Sequence, residues 1–168
     1  MLRNPVDRLA AQYQSAVSMG LDIGIEAWIT EDLELLKKAG VAGGSSTVKN
    51  TDSWPAYLAS ARGDAPIGRG MYEIQLQNWL AVMAKMDKLD HILILNHDDW
   101  KRHPTKVWQQ ILEFLELPPE TSVSLPSSSE PVHPKMDATL RKNLLKYYKP
   151  YNEKLYNLLG WEKVWDKK

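Results

Sequence analysis

Apolar side chains recur at helical spacing in five stretches of the chain. Spacings of three and four residues place these groups on one face of a helix, so each stretch predicts an amphipathic helix. The predicted helices cover about 5–18, 23–38, 70–86, 104–117 and 137–160. Asn4 and Pro5 suit the cap and first turn of the first helix, and Gly40 and Gly160 suit helix ends. Pro150 is expected to kink the last helix.

A different pattern, typical of a buried strand, occupies Ile92–Leu95. Four consecutive apolar residues with polar neighbours on both sides predict a strand buried on both faces, as in parallel sheets. Met1–Arg3 has the pattern of a second, short strand. We therefore predict an α/β fold that is mostly helical and carries only part of a parallel sheet.

Two long connections separate these elements. The glycine-rich segment 40–69 is longer than an ordinary connection in a compact domain, and such connections often carry function. Trp54 and Tyr57 predict a short packed piece within it. The segment 118–135 is rich in serine and proline. Since no internal repeat divides the chain, we predict a single, partial domain over residues 1–168.

The composition excludes several classes of protein. With 43% hydrophobic and 25% charged residues among 168, the chain has the composition of a globular domain. Its 21 basic and 21 acidic residues balance, so no overall field attracts it to nucleic acid or to an anionic membrane. The absence of cysteine excludes disulfides, zinc-thiolate sites and cysteine nucleophiles. No apolar run reaches the roughly 18 residues of a transmembrane helix.

The strongest candidate for chemistry is the segment around Arg3. A strand that leads into a helix N-terminus presents backbone N–H groups and the positive end of the helix dipole, which together bind anions. Arg3 adds a guanidinium with the geometry to grip a phosphate. The alternative is structural, with Arg3 and Arg8 paired on the surface with Asp7 or Glu26. The pattern alone leaves both interpretations open.

Three further groups of residues have a functional and a structural interpretation. Asp98 and Asp99 follow the predicted strand, either as a catalytic carboxylate pair or, as we expect, as caps of a short helix. The four histidines lack metal-ligand spacing, so we expect no metal site. The aromatic residues near the C-terminus have helical spacing, and we expect core packing rather than stacking on a base or sugar. These are Tyr147, Tyr148, Tyr151, Tyr156, Trp161 and Trp165.

Four blocks of the sequence resemble the carbohydrate sulfotransferases, and most of all the heparan sulfate N-sulfotransferase and 3-O-sulfotransferase domains. The blocks are 2–13, 70–80, 92–115 and 133–156. In that order they are similar to the family patterns RxPxxRxxSxY, GxYxxxLxxWL, ILVL…EDL…P…FLGL and HP…LRxxLxxYYxPxNxxLY. Each pattern alone is weak, but four in the family's order are specific.

The resemblance implies an α/β fold of the P-loop type, with a nucleotide donor bound across the carboxyl ends of parallel strands. The donor would be 3′-phosphoadenylyl sulfate (PAPS), and the reaction a sulfuryl transfer to a hydroxyl or amine, expected to belong to a glycan. No metal is implied. The nucleotide contacts carry over to Arg3, Asn4, Ala11, His133 and Lys135.

The resemblance also bears on the acceptor and the compartment. The segment 40–69 lies beside the acceptor cleft in the family, which would offer Lys49 and Arg62 to a sulfated sugar; a plain surface loop is the alternative. By the same analogy the protein would work in the Golgi lumen, although the sequence itself does not fix the compartment.

Departures from the family pattern leave two functions open. Ala11 stands where the family has a serine, so one hydroxyl for the 3′-phosphate is lost. Ser129-Glu130-Pro131 stands where the family has a basic Lys-Gly-Arg turn, and the nearest cation is Lys135. The family's phosphosulfate loop, with its lysine, and its glutamate base precede the Arg3 block, so no catalytic residue is assigned among these 168. The chain is then either part of a sulfotransferase completed by other sequence or a non-catalytic binding module of the same descent.

Overall fold

The computed structural model describes residues 1–41, 54–61, 65–119 and 136–165. All five predicted helices are present, together with two shorter ones. The helices of the described part are α1 (Pro5–Ser18), α2 (Ile25–Lys38), α3 (Trp54–Ala61), α4 (Tyr72–Lys85), α5 (His97–Arg102), α6 (Pro104–Phe114) and α7 (Ala138–Leu159). A 3-10 turn, Gly68–Gly70, precedes α4. Of these helices, none combines the length and the apolar character needed to cross a bilayer.

The chain forms two compact units. The minor unit comprises Met1–Arg3 and Leu80–Val132, and the major unit comprises Asn4–Trp79 and His133–Lys168. The division falls inside α4. The assignment of residues 1–168 to a single domain stays a prediction.

The core of the major unit is built on α1, α2 and α7. Helix α1 begins at Pro5 because Asn4 caps it and Pro5 has no N–H to satisfy. Val6 and Leu9 are fully buried, which confirms the predicted apolar face over the first turns, whereas Val17 near the end of the helix is 41% exposed. The same cluster includes Ile29, Leu36, Tyr57, Ile67, Met71, Ile74, Leu144, Tyr148 and Tyr151.

The glycine-rich segment 40–69 contains more regular structure than its composition suggests. Gly40 follows the end of α2 with φ 72°, a left-handed conformation that favours glycine. Tyr57 of α3 is 1% exposed, which confirms the packed piece predicted there. Lys49 and Arg62, the candidate acceptor contacts, lie outside the described residues.

Helix α7 has the predicted ends. Asp137 accepts hydrogen bonds from the backbone N–H groups of Thr139 and Leu140, at 2.9 and 3.0 Å. Gly160 ends the helix with φ 64°. The helix continues on both sides of Pro150, and the kink expected there stays a prediction.

The aromatic residues of α7 and the following segment belong to the core. Tyr148 and Tyr151 are no more than 1% exposed, and Tyr156 and Trp165 are each 3% exposed. The ring of Trp165 lies 5.8 Å from that of Tyr156 and 6.1 Å from that of Tyr72. These buried rings cannot stack on a nucleotide base, so the expected core packing is confirmed for them.

The predicted strand of the minor unit is only partly realised. Leu2 and Asn96 form a parallel bridge, in which the Leu2 N–H donates to Leu95 O and the His97 N–H donates to Leu2 O, each at 2.7 Å. This single bridge joins the two segments that were predicted to be strands. Ile92–Leu95 was expected to be buried on both faces, but it is half-buried and forms no regular strand among the described residues. A single bridge does not make a ladder, and burial on both faces needs neighbours that cover them.

Helix α4 has the predicted apolar face over most of its length, with Trp79 as the exception. The helical spacing places five apolar residues on one side: Tyr72, Leu76, Trp79, Leu80 and Met83. Tyr72 is buried and Leu76, Leu80 and Met83 are half-buried, but Trp79 is 64% exposed. Burial is concentrated in the first turn, at Tyr72, Glu73 and Ile74. The later turns keep the predicted periodicity, but their apolar side is only half-buried.

Candidate functional site

The first turn of α1 has its backbone N–H groups already satisfied. The side-chain oxygen of Asn4 accepts from the N–H groups of Val6, at 2.9 Å, and Asp7, at 3.4 Å. The Arg8 N–H donates to the carbonyl oxygen of Asn4 at 2.9 Å. Asn4 itself is only 4% exposed. The expectation that this helix end presents unpaired amides to an anion is therefore wrong, because the cap occupies them.

Arg8 does not pair on the surface as the structural alternative suggests, and the pairing of Arg3 stays a prediction. Asp7 forms an ion pair with Arg141 of α7, at 2.7 Å. Arg8 donates to the side-chain oxygen of Gln12 at 2.6 Å and to the carbonyl oxygen of Pro66. Arg8 thus points into the major unit and has a structural role. Arg3 is half-buried and directly precedes the Asn4 cap in sequence.

The other predicted nucleotide contacts divide into two groups. Ala11 lies half-buried on α1, seven residues after Asn4 and therefore on the same side of the helix as the cap. Its methyl group offers no hydrogen bond. Ser15, one turn further on, is exposed, and its carbonyl oxygen accepts from Ser18. His133 and Lys135 lie outside the described residues, as does the Ser129-Glu130-Pro131 turn.

A turn at residues 66–68 is held by side chains from four helices. Arg8 of α1 donates to Pro66 O, and Tyr148 of α7 donates to Ile67 O at 2.9 Å. One carboxylate oxygen of Asp32 of α2 accepts from the N–H groups of Ile67, at 2.5 Å, and Gly68, at 3.1 Å. Gln75 of α4 donates to Gly68 O at 3.1 Å. In this turn the main-chain groups depend on side chains rather than on a regular ladder.

Sequence reasoning missed the residue at the centre of this arrangement. Asp32 is 2% exposed although it is a carboxylate. The signal was available, because Asp32 lies four residues after Trp28 and four before Leu36, both of them buried. Positions four apart share a helix face, so the apolar stripe of α2 passes through Asp32. Nothing in the pattern, however, indicates what this carboxylate binds.

Burial dominates the electrostatics of the turn. It raises the pKa of Asp32 above its ordinary value, against the opposing effects of Ser60, the N–H groups of Ile67 and Gly68, and the charge of Arg8. Burial likewise raises the pKa of Tyr148, although Arg8 opposes that rise. Tyr57 has its pKa raised to about 12, mainly by burial. The phenols therefore remain neutral hydrogen-bonding groups at physiological pH.

The carboxylates that follow the predicted strand do not cap α5, so the expectation that they do is wrong. The side chain of Asn96, rather than an aspartate, caps α5 by accepting from the Asp98 N–H at 3.1 Å. Asp99 pairs with Arg102 at 3.3 Å across the exposed side of that short helix. Within the described ranges, no cluster of His, Asp or Glu is grouped to hold a metal ion.

Comparison with known proteins identifies the family. The sequence profile of the family described as Sulfotransferase domain matches residues 1–149. A similar protein is the membrane-associated sulfotransferase kil1 of Dictyostelium discoideum, which is 27% identical over 99 residues. The alignment covers 59% of this chain, but the chain spans only a fifth of that relative, 20% of its length. The profile extends from the residues before α1 well into α7, and the chain therefore belongs to the sulfotransferase domain family.

Proposed function

We propose that this chain contributes the 3′-phosphate-binding part of a sulfotransferase of the carbohydrate type. The donor is PAPS, and the acceptor is a hydroxyl or amine of a glycan. The observation that carries the proposal is the family match over residues 1–149, which includes the Arg3-Asn4-Pro5 segment at the start of α1. The order of the four sequence blocks supports a relationship to the heparan sulfate enzymes and a P-loop type of fold.

The residues at the start of α1 fit a phosphate only in part. Asn4 serves as a helix cap, and the N–H groups of Val6 and Asp7 are already bonded to it. The positive end of the helix dipole remains, and it favours an anion near this end of α1. Arg3 supplies the guanidinium that such a contact needs. We therefore assign the 3′-phosphate contact chiefly to Arg3, with Ala11 marking the position of the missing hydroxyl.

The donor, when bound, supplies an activated sulfuryl group for in-line transfer to the acceptor oxygen or nitrogen. This chain's proposed part is to bind and orient the adenosine 3′,5′-bisphosphate portion. No described residue is assigned as the base that takes the acceptor proton. A binding module without turnover is the second candidate, since no catalytic residue is assigned to the chain.

The direct test is to titrate the chain with adenosine 3′,5′-bisphosphate by calorimetry. Replacing Arg3 by alanine removes a charged hydrogen bond worth about 1.5–3 kcal/mol, so affinity should fall at least ten-fold. Arg102→Ala is the matched control, because it removes an arginine whose partner is Asp99 on an exposed helix. That variant should bind like the unchanged chain.

The outcomes separate the candidates. Binding that is weakened by Arg3→Ala, followed by transfer from labelled PAPS to a glycan, supports the enzyme. The same binding without transfer to any acceptor supports the binding module. Absence of nucleotide binding by the unchanged chain, or equal affinity of the Arg3→Ala variant, overturns the assignment of the 3′-phosphate contact.

A further inference from the structure

The turn at 66–68 lies directly against the first residue of α1. A Cβ atom added at Gly70 would lie 2.9 Å from Cβ of Pro5 and 2.8 Å from the hydroxyl of Tyr148. Such distances leave no room for a side chain, so the backbone at Gly70 is in close contact with Pro5. Arg8 connects the same two elements through the carbonyl of Pro66. A displacement of the turn would therefore displace the start of α1.

Asp32 holds this turn through one oxygen atom. Its Oδ2 accepts from two consecutive N–H groups, whereas its Oδ1 is buried with no hydrogen-bond partner among the described residues. A buried carboxylate with incomplete partners costs stability compared with an apolar residue of similar size. When this carboxylate is ionised, its hydrogen bonds are charge-assisted and about twice as strong as neutral ones, so they fix the turn in one position.

We propose that Asp32 is a positioning residue for the donor site: through the 66–68 turn and Gly70, it fixes the first turn of α1, which directly follows the proposed phosphate contact at Arg3. The inference rests on the proposed function, since α1 follows the proposed 3′-phosphate contact. Asp32 does not touch the nucleotide in this scheme. It acts through Ile67 and Gly68, and then through the contact between Gly70 and Pro5.

The first test is nucleotide affinity in an Asp32→Asn variant of the full chain. Asparagine keeps the shape and an acceptor oxygen but loses the charge, so the turn should be held less firmly. We expect affinity for adenosine 3′,5′-bisphosphate to fall by about five-fold or more, the usual lower range of coupling between sites. The thermal unfolding midpoint should stay equal or rise, because a buried charge has been removed. Glu31→Gln is the matched control: it removes an exposed carboxylate from the same helix and should leave affinity unchanged.

A pH series gives a readout that a purely structural role would not move. Asp32 and its neighbours affect one another's pKa values; these neighbours are Arg8 of α1, Ser60 of α3, and Tyr147 and Tyr148 of α7. The pKa of both phenols is raised by burial, and the guanidinium has no neutral form in this range, so Asp32 is the group in this set that changes charge on acidification. The affinity ratio of the unchanged chain to the Asp32→Asn variant should approach one as the pH falls. Titration of the nucleotide cancels in that ratio.

Hydrogen exchange provides a second measurement that does not require the variant to fold. Coupling is reciprocal, so adenosine 3′,5′-bisphosphate should slow exchange of the Ile67 and Gly68 amides in the unchanged chain. If the unchanged chain binds nucleotide but these amides do not respond, the inference is overturned while the proposed function stands. The same holds if Asp32→Asn binds as tightly as the unchanged chain. If the unchanged chain binds no nucleotide, both the proposed function and this inference fail.

Discussion

The hydrogen bond from Tyr148 to the 66–68 turn gives a sharp prediction about stability. Tyr148 is fully buried, and its hydroxyl donates to Ile67 O at 2.9 Å. A Tyr148→Phe variant removes only this hydroxyl and leaves the ring packing in place. Ile67 O still accepts from the Gly70 N–H at 2.9 Å, so the carbonyl is not left without any partner.

The magnitude follows from the single bond that is lost. A net hydrogen bond contributes about 0.5–1.5 kcal/mol, and no water can replace the hydroxyl at a fully buried position. We expect a loss near the upper end, about 1–1.5 kcal/mol. For a chain of this size that corresponds to a fall of about 2–6 °C in the thermal midpoint.

The matched control is Tyr13→Phe. The Tyr13 hydroxyl also donates to a main-chain carbonyl, that of Ile23, at 3.0 Å, but the bond is exposed. Water replaces an exposed partner, so the free energy of unfolding should change by less than about 0.5 kcal/mol. Urea denaturation compares the two variants, with one common slope for the dependence of the unfolding free energy on urea concentration. Equal losses in both, or no loss in Tyr148→Phe, would refute the argument that the buried turn depends on its side-chain partners.

Two further predictions concern the cap of α1 and the charge of Asp32. Asn4→Ala should destabilise the chain by about 1 kcal/mol, because the N–H groups of Val6 and Asp7 lose their acceptor. Urea denaturation measures this loss. Replacement of Asn4 by Ser or Asp should retain most of the stability, because both can cap a helix. The pKa of Asp32 is raised in the folded chain, so the folded chain binds the proton of this carboxyl more tightly than the unfolded chain does. The stability of the unchanged chain relative to Asp32→Asn should therefore fall as the pH rises from the ordinary value of 3.8 through the raised pKa. A relative stability that rises over that interval would contradict the assignment of a raised pKa.

The helices could be predicted because their signals are local. Asn4, Asp137 and Gly160 act on backbone groups within four residues of themselves, so their effect can be read from the adjacent sequence. The burial of the aromatic residues of α7 likewise follows from helical spacing. These features need no knowledge of what packs against them.

The interactions of the turn could not be predicted, because they join distant parts of the chain. Asp32 meets Ile67 across 35 residues, and Tyr148 meets it across 81. Trp79 shows the same limit: its helical spacing predicts burial, but the side chain is exposed, because spacing alone does not reveal which positions of α4 reach a core. Ile92–Leu95 has the composition of a buried strand, but its burial depends on neighbours that a pattern does not specify.

The binding of a phosphate by Arg3 and Asn4 stays a prediction. The sequence predicts Asn4 both as a helix cap and as part of an anion site, and the geometry shows that the cap occupies the amides at the helix end. A cap and an exposed anion site have the same sequence signature, because both use a polar residue before an N-terminal turn.

The 66–68 turn also constrains the order in which this chain can fold during synthesis. Its partners come from α1, α2, α4 and α7, so the last of them, Tyr148, emerges long after Asp32 and Ile67 have been made. Until then the carbonyl of Ile67 lacks the donor that is most distant in sequence. Closing the long loop between Ile67 and Tyr148 carries an entropic cost. We expect the turn to be completed late, when α7 packs, so in a ribosome-bound chain that ends before α7 the turn should have Arg8, Asp32 and Gln75 as partners but lack the hydrogen bond from Tyr148.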